Sequence, residues 1–154
     1  MTRSAAASNT TSTAVRILLA ILALLEVMIG IWASLAPMSF YASFPIPGHN
    51  WVSLLPPYNE HLIRDVGELS LALTVVLAAA AFTGDRLLSA VATAAVAIYA
   101  VPHAVFHFVH LDGFPTSDAI VQTTGIALQL MVIAVVAWLL WRESAQTQAS
   151  RITI

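Results

Sequence analysis

Apolar residues run along this chain in four long blocks, separated by short polar or proline-containing segments. The blocks predict helices at about 14–35, 60–82, 87–110 and 118–141. Each is long enough to cross a hydrocarbon layer of about 30 Å with modest tilt. The first block, AVRILLAILALLEVMIGIWASL, follows basic residues, so a secretory leader has to be weighed. A leader's apolar region is about 7–15 residues long. This run is longer, carries Glu26 near its middle, and is followed by Pro37 directly after the small residues that would be cut. It is read as a retained membrane helix.

Residues 37–59 hold five of the seven prolines together with Phe40, Tyr41, Phe44, Trp51 and Tyr58. Prolines forbid a continuous helix, and aromatic side chains favour the membrane interface. An ordered cap on the bilayer surface is expected. Asn59 is a candidate N-cap for the second helix, and Gly84 a candidate stop. Residues 1–13 are expected to be a disordered tail and 142–154 a frayed polar one. The fold class is therefore all-α, a four-helix transmembrane bundle.

Composition agrees with the pattern. The chain is 59% hydrophobic and 9% charged, against about 25% charged in soluble domains. A net charge of -2 with no basic run argues against nucleic-acid partners. No cysteine is present, which removes disulfides, thiolate metal sites and thiol redox chemistry. The cations are six arginines. Arg3, Arg16, Arg86, Arg142 and Arg151 fall at the two termini and the turn between the second and third helices. The positive-inside rule then puts both termini in the cytoplasm of a multi-pass cell-membrane protein. Arg64 is the exception, at the opposite end.

Polar residues within the apolar blocks are the candidate chemistry. VPHAVFHFVH places His103, His107 and His110 at i, i+4 and i+7, on one helix face. Tyr99 extends that face one turn deeper. The second helix carries His61, Asp65 and Glu68 on a stripe, with Glu60 and Arg64 beside it. The fourth carries Asp118, Gln122, Gly125 and Gln129, and the first carries Glu26, Gly30, Ala33 and Pro37. At 1.5 Å per residue, Glu68, His103 and Gln122 lie roughly 6–12 Å below the outer helix ends, and Glu26 roughly 15 Å. Lipid cannot solvate such groups, so the stripes are expected to face one another inside the bundle. Pro102 is expected to kink the third helix just before His103.

Each feature has a plainer reading beside the functional one. The histidines could be hydrogen-bonded interior groups, with His110 facing water. Glu60 and Arg64 suit an ion pair anchoring a helix end. Asp118 suits a helix N-terminus, where a carboxylate is favoured by the dipole. His49 is expected to be exposed, with a lid over the site as the alternative.

Four helices, the proline- and aromatic-rich loop after IWASLAP, and a second helix opening NEHLIRDVGELSLAL resemble the small DoxX-like membrane proteins. The resemblance covers most of residues 14–141. It implies a quinone-linked sulfur-oxidising setting, from which the HxxxHxxH of the third helix departs.

The leading expectation is an intramembrane metal site in the outer half of the bilayer. Its ligands would be His61, Glu68, His103, His107 and His110, with Glu26, Asp65 and Tyr99 as catalytic or proton-carrying groups. Mixed imidazole and carboxylate ligation admits iron, zinc, manganese or copper. Haem is a variant, with His61 as the second axial ligand. The reaction would be oxidation or reduction of a quinone or another lipophilic molecule. Two rivals are expected: a proton-coupled binding or transport module, which with four helices would work as a homo-oligomer, and a non-catalytic subunit of a larger membrane complex.

Overall fold

A computed structural model of the chain describes residues 9–55 and 57–152. Five helices and one short hairpin form in the order α1 (Thr13–Leu35), α2 (Pro37–Ser43), β1 (Pro45–Ile46), β2 (His49–Asn50), α3 (Glu60–Thr83), α4 (Arg86–Val109) and α5 (Thr116–Ile152). The four long helices are each apolar and long enough to span a membrane. The protein is all-α in its architecture, a ring of four helices in which α1 packs on α3, α3 on α4, α4 on α5, and α5 back on α1.

Local chemistry sets the helix ends. Ser12 caps α1 and Asn59 caps α3, each accepting from the backbone N–H three residues on. Asp85 caps α4 in the same way at 2.8 Å. Gly84 ends α3 at φ +65°, the left-handed conformation that glycine adopts without a Cβ penalty. α4 continues as α-helix through Pro102.

Two arginines tie α1 to α3 at opposite ends. Arg16, in the first turn of α1, donates from Nε to the Ala81 carbonyl at 2.8 Å and from Nη2 to the Phe82 carbonyl at 3.0 Å. Arg64, near the start of α3, donates from Nη1 to the Ser34 carbonyl. Each guanidinium satisfies carbonyls that the last turn of the partner helix leaves open. This accounts for Arg64, the cation that the charge pattern left apart. Its Nε also donates to Glu60 Oε1 at 2.9 Å, the anchoring ion pair expected there.

Between these staples the two backbones approach closely. A Cβ on Gly67 would lie 2.6 Å from the Ser34 backbone nitrogen, and one on Gly30 would lie 3.1 Å from the Gly67 carbonyl oxygen. Below this contact the bundle is filled by Leu19, Leu22, Leu77, Val96 and Val136, all buried. The outward surfaces of the helices are apolar: Ile17, Leu24, Met28, Leu35, Leu69, Phe82, Ile98 and Trp141 are all exposed. Such a surface is suited to lipid.

The segment after α1 is ordered, as the prolines and aromatics suggested. α2 and the hairpin pack Phe40 on Phe44 at 4.8 Å, Phe44 against Trp51 at 6.2 Å, and Tyr41 against Tyr58 at 5.2 Å between ring centroids. The expected tails differ. Residues 1–8 lie outside the described residues. Residues 9–12 pair with the α3–α4 turn, where Thr11 donates its N–H to the Gly84 carbonyl at 2.8 Å and Arg86 donates its own to Asn9 at 3.1 Å. α5 does not stop near Trp141 but continues to Ile152. Contacts at that end hold it: Glu143 Oε1 accepts from the Ser12 N–H at 3.2 Å, and Arg86 donates to Thr147 Oγ1 at 3.0 Å.

Candidate functional site

The polar line inside the bundle begins at Glu26 of α1, whose residue surface is 1% exposed. Ser70 of α3 presents its hydroxyl toward the carboxyl, and Tyr99 of α4 lies within its electrostatic reach. Neither carboxyl oxygen of Glu26 completes a hydrogen bond. Buried polar groups without well-formed partners are rare in proteins, and each calls for an explanation, a functional role or a bound water or ion among them.

From Tyr99 the line climbs α4. The Tyr99 and His103 rings stack with centroids 5.2 Å apart. The His103 and His107 rings meet edge to face at 4.4 Å. His107 is engaged by Gln122 of α5, itself only 3% exposed. His107 Nδ1 and Gln122 Oε1 are buried without a hydrogen-bond partner. One turn above Gln122, Asp118 accepts from or shares a proton with His49 Nδ1 at 3.0 Å. All four long helices therefore contribute: α1 through Glu26, α3 through Ser70, α4 through Tyr99, His103 and His107, and α5 through Gln122 and Asp118.

The rest of the expected ligand set is not brought here. His61 faces outward with 87% of its side-chain surface exposed, 3.4 Å from Asp65, which is itself 44% exposed. Glu68 is exposed as well. The reason lies in the helix wheel of α3. Ile63, Gly67, Ser70 and Leu77 form its buried face, and the His61–Asp65–Glu68 stripe is turned away from it. Facing α1 as closely as Gly67 does leaves no room for a charged side chain. His110 is exposed at the end of α4, stacked on Phe106 at 4.1 Å, with its Nδ1 2.7 Å from the Phe106 carbonyl. Among the described residues, no three His, Asp or Glu side chains are placed to hold one metal ion.

Three residues stand where sequence reasoning placed them otherwise or missed them. Asp118 lies within the first turn of α5, but its side chain is bonded to His49 and approached by the Ser117 hydroxyl at 3.4 Å. His49, in the hairpin, keeps 44% of its side-chain surface exposed and reaches Asp118. Ser70 was legible only as a hydroxyl on the apolar face of the second helix, with Thr74 one turn on, a weaker signal than the neighbouring charges.

No protein-family model, no curated protein and no solved structure matches the chain. The resemblance to DoxX-like proteins rests on the residues quoted above alone.

Proposed function

We propose that the protein is a proton-coupled membrane module, in which the interior line from His107 to Glu26 takes up protons from the loop end of the bundle. The observation that carries this reading is Glu26: buried to 1%, with both carboxyl oxygens unbonded, at the inner end of a run of protonatable rings. Imidazole accepts a proton on one nitrogen and releases one from the other, and a phenol both donates and accepts. Intramembrane ionisable groups in such lines mark proton pathways by default. Gln122 does not titrate, and it would hold the His107 ring in register.

The line stops at Glu26. Beyond it the interior is filled by Leu19, Leu22, Leu77, Val96 and Val136, and the buried hydroxyls of Ser89 and Thr93 donate to carbonyls of their own helix. A path open at one end and sealed at the other loads protons without leaking them, as a coupled binding or transport module requires. The orientation follows from the arginines: Arg16, Arg86 and Arg142 share the end opposite the hairpin, which the positive-inside rule assigns to the cytoplasm. Proton uptake is then from the extracytoplasmic side of the cell membrane. Because the chain has no cysteine, single Asn50→Cys and Gln146→Cys variants test this. An impermeant thiol reagent on intact cells should label the first and spare the second.

The function is tested by a pH jump applied to proteoliposomes on a capacitive electrode. The expected signal is a transient charge displacement that decays, and that His103→Ala/His107→Ala abolishes. A sustained current would contradict the sealed path, and no displacement in the unaltered protein would sink the proposal.

A second reading has its own observation. His103 and His107 sit ring to ring, and His107 Nδ1 is buried and free. Two imidazoles one turn apart can clasp a copper or zinc ion, with Tyr99 adjacent. Quinone-linked redox chemistry would then be the natural activity. Mass-spectrometric metal analysis of protein purified without a histidine tag separates the two. Near-stoichiometric metal, lost in the double variant, would favour the second reading.

A further inference from the structure

The polar line runs up to the hairpin end of the bundle, where His107 is half-buried. At its upper end His107 meets Gln122, and one helical turn above Gln122 stands Asp118. The Asp118 side chain is only 10% exposed, while its partner His49 is 44% exposed. A buried carboxylate whose bonding partner reaches solvent joins the interior to the surface. The surroundings support this. Gln122 Oε1 is buried and unbonded, leaving a hydrogen-bond position open on the residue that engages His107.

Resting on the proton-coupled reading, we infer that His49 and Asp118 form the mouth of the path, passing protons between solvent and His107. Asp118 accepts the proton from solvent through His49 and hands it inward. The hairpin fixes His49 over the carboxylate, since His49 is held in register opposite Ile46. Other titratable and charged groups stand at this end, and His61 and Asp65 of α3 face outward as a pair 3.4 Å apart. Glu60 and Arg64 on α3 pair with each other. His110 of α4 bonds to its own helix, and Asp112 is exposed in the turn. α1 presents no ionisable side chain above Glu26, and α2 carries only Tyr41.

The test follows the rate of the pH-jump displacement in proteoliposomes. Asp118→Asn keeps the hydrogen bond to His49 but cannot carry a proton, and it should slow the displacement about tenfold or more. Asp118→Glu should restore much of the rate, and His49→Phe, which removes the imidazole from the carboxylate, should slow it as Asp118→Asn does. Circular dichroism and melting in detergent check that each variant is folded. An unchanged rate in Asp118→Asn, beside loss of the signal in the His103→Ala/His107→Ala variant, would overturn the mouth while leaving the inner path standing. No displacement in the unaltered protein would overturn both. A variant that melts earlier but keeps its rate and pH profile would show a latch for the hairpin and contradict the inference.

Discussion

The two halves of the bundle are built on opposite plans. α1 and α3 are pressed together along their length, with Gly30 and Gly67 admitting backbone against backbone and an arginine closing each end. α4 and α5 stand further apart. An outward-facing groove of about 510 Å³ runs between them, lined by Ala94, Ala97, Val101, Ile133, Ala134 and Ala137. The histidines belong to the looser pair. On the proposed function the difference separates scaffold from working part: α1 and α3 fix the position of Glu26, while α4 and α5 carry His103, His107 and Gln122.

The comparison can be broken most severely at Gly67. Gly67→Leu should cost about 3 kcal/mol, because the new side chain meets Ser34 backbone and not a flexible tip. Melting in detergent would show it. The matching change in the other half, Gly125→Ala, should be neutral or slightly stabilising, by up to about 1 kcal/mol, since nothing lies within 4 Å of the added carbon. Equal effects at the two glycines would contradict the division.

The staples come next. Arg16→Ala and Arg64→Ala should each lower stability by about 1–2 kcal/mol through the carbonyls left open. Arg16→Lys should restore little, because an ammonium does not reproduce a guanidinium fork on two adjacent carbonyls. Full recovery with lysine would mean that charge, and not geometry, holds this end.

Glu26→Gln is expected to leave the fold intact and the melting temperature unchanged or slightly raised, because it removes a buried carboxyl with no bonded partner. The same variant should lose the pH-jump displacement. The smallest effect should come from the groove: Ala97→Val or Ala134→Val fills open space and should move stability by under about 1 kcal/mol.

The fold was largely legible because each long block is both apolar enough to be a span and bounded by capping chemistry that the chain spells out at Asn59 and Gly84. The site was legible on α1, α4 and α5, where a few polar residues stand alone in apolar helices and have nowhere to go but inward. It was misread on α3. There the charges at His61, Asp65 and Glu68 outnumber Ser70, and density was taken for inwardness. The tight contact with α1 reverses that inference: the face that can bury is the one with glycine and serine. The ordering of residues 9–12 and the length of α5 depend on contacts between distant segments, at Thr11 with Gly84 and at Arg86 with Thr147. No local pattern announces them.

The central claim is a polar path open at the hairpin end and closed below Glu26. The absence of cysteine permits a direct reading by single-cysteine labelling along α4 in proteoliposomes. Cysteines placed at His107 and His103 should react with a water-soluble thiol reagent, and those at Val96 and Ala92 should not. Protection at all four positions, or reaction at all four, would contradict the account.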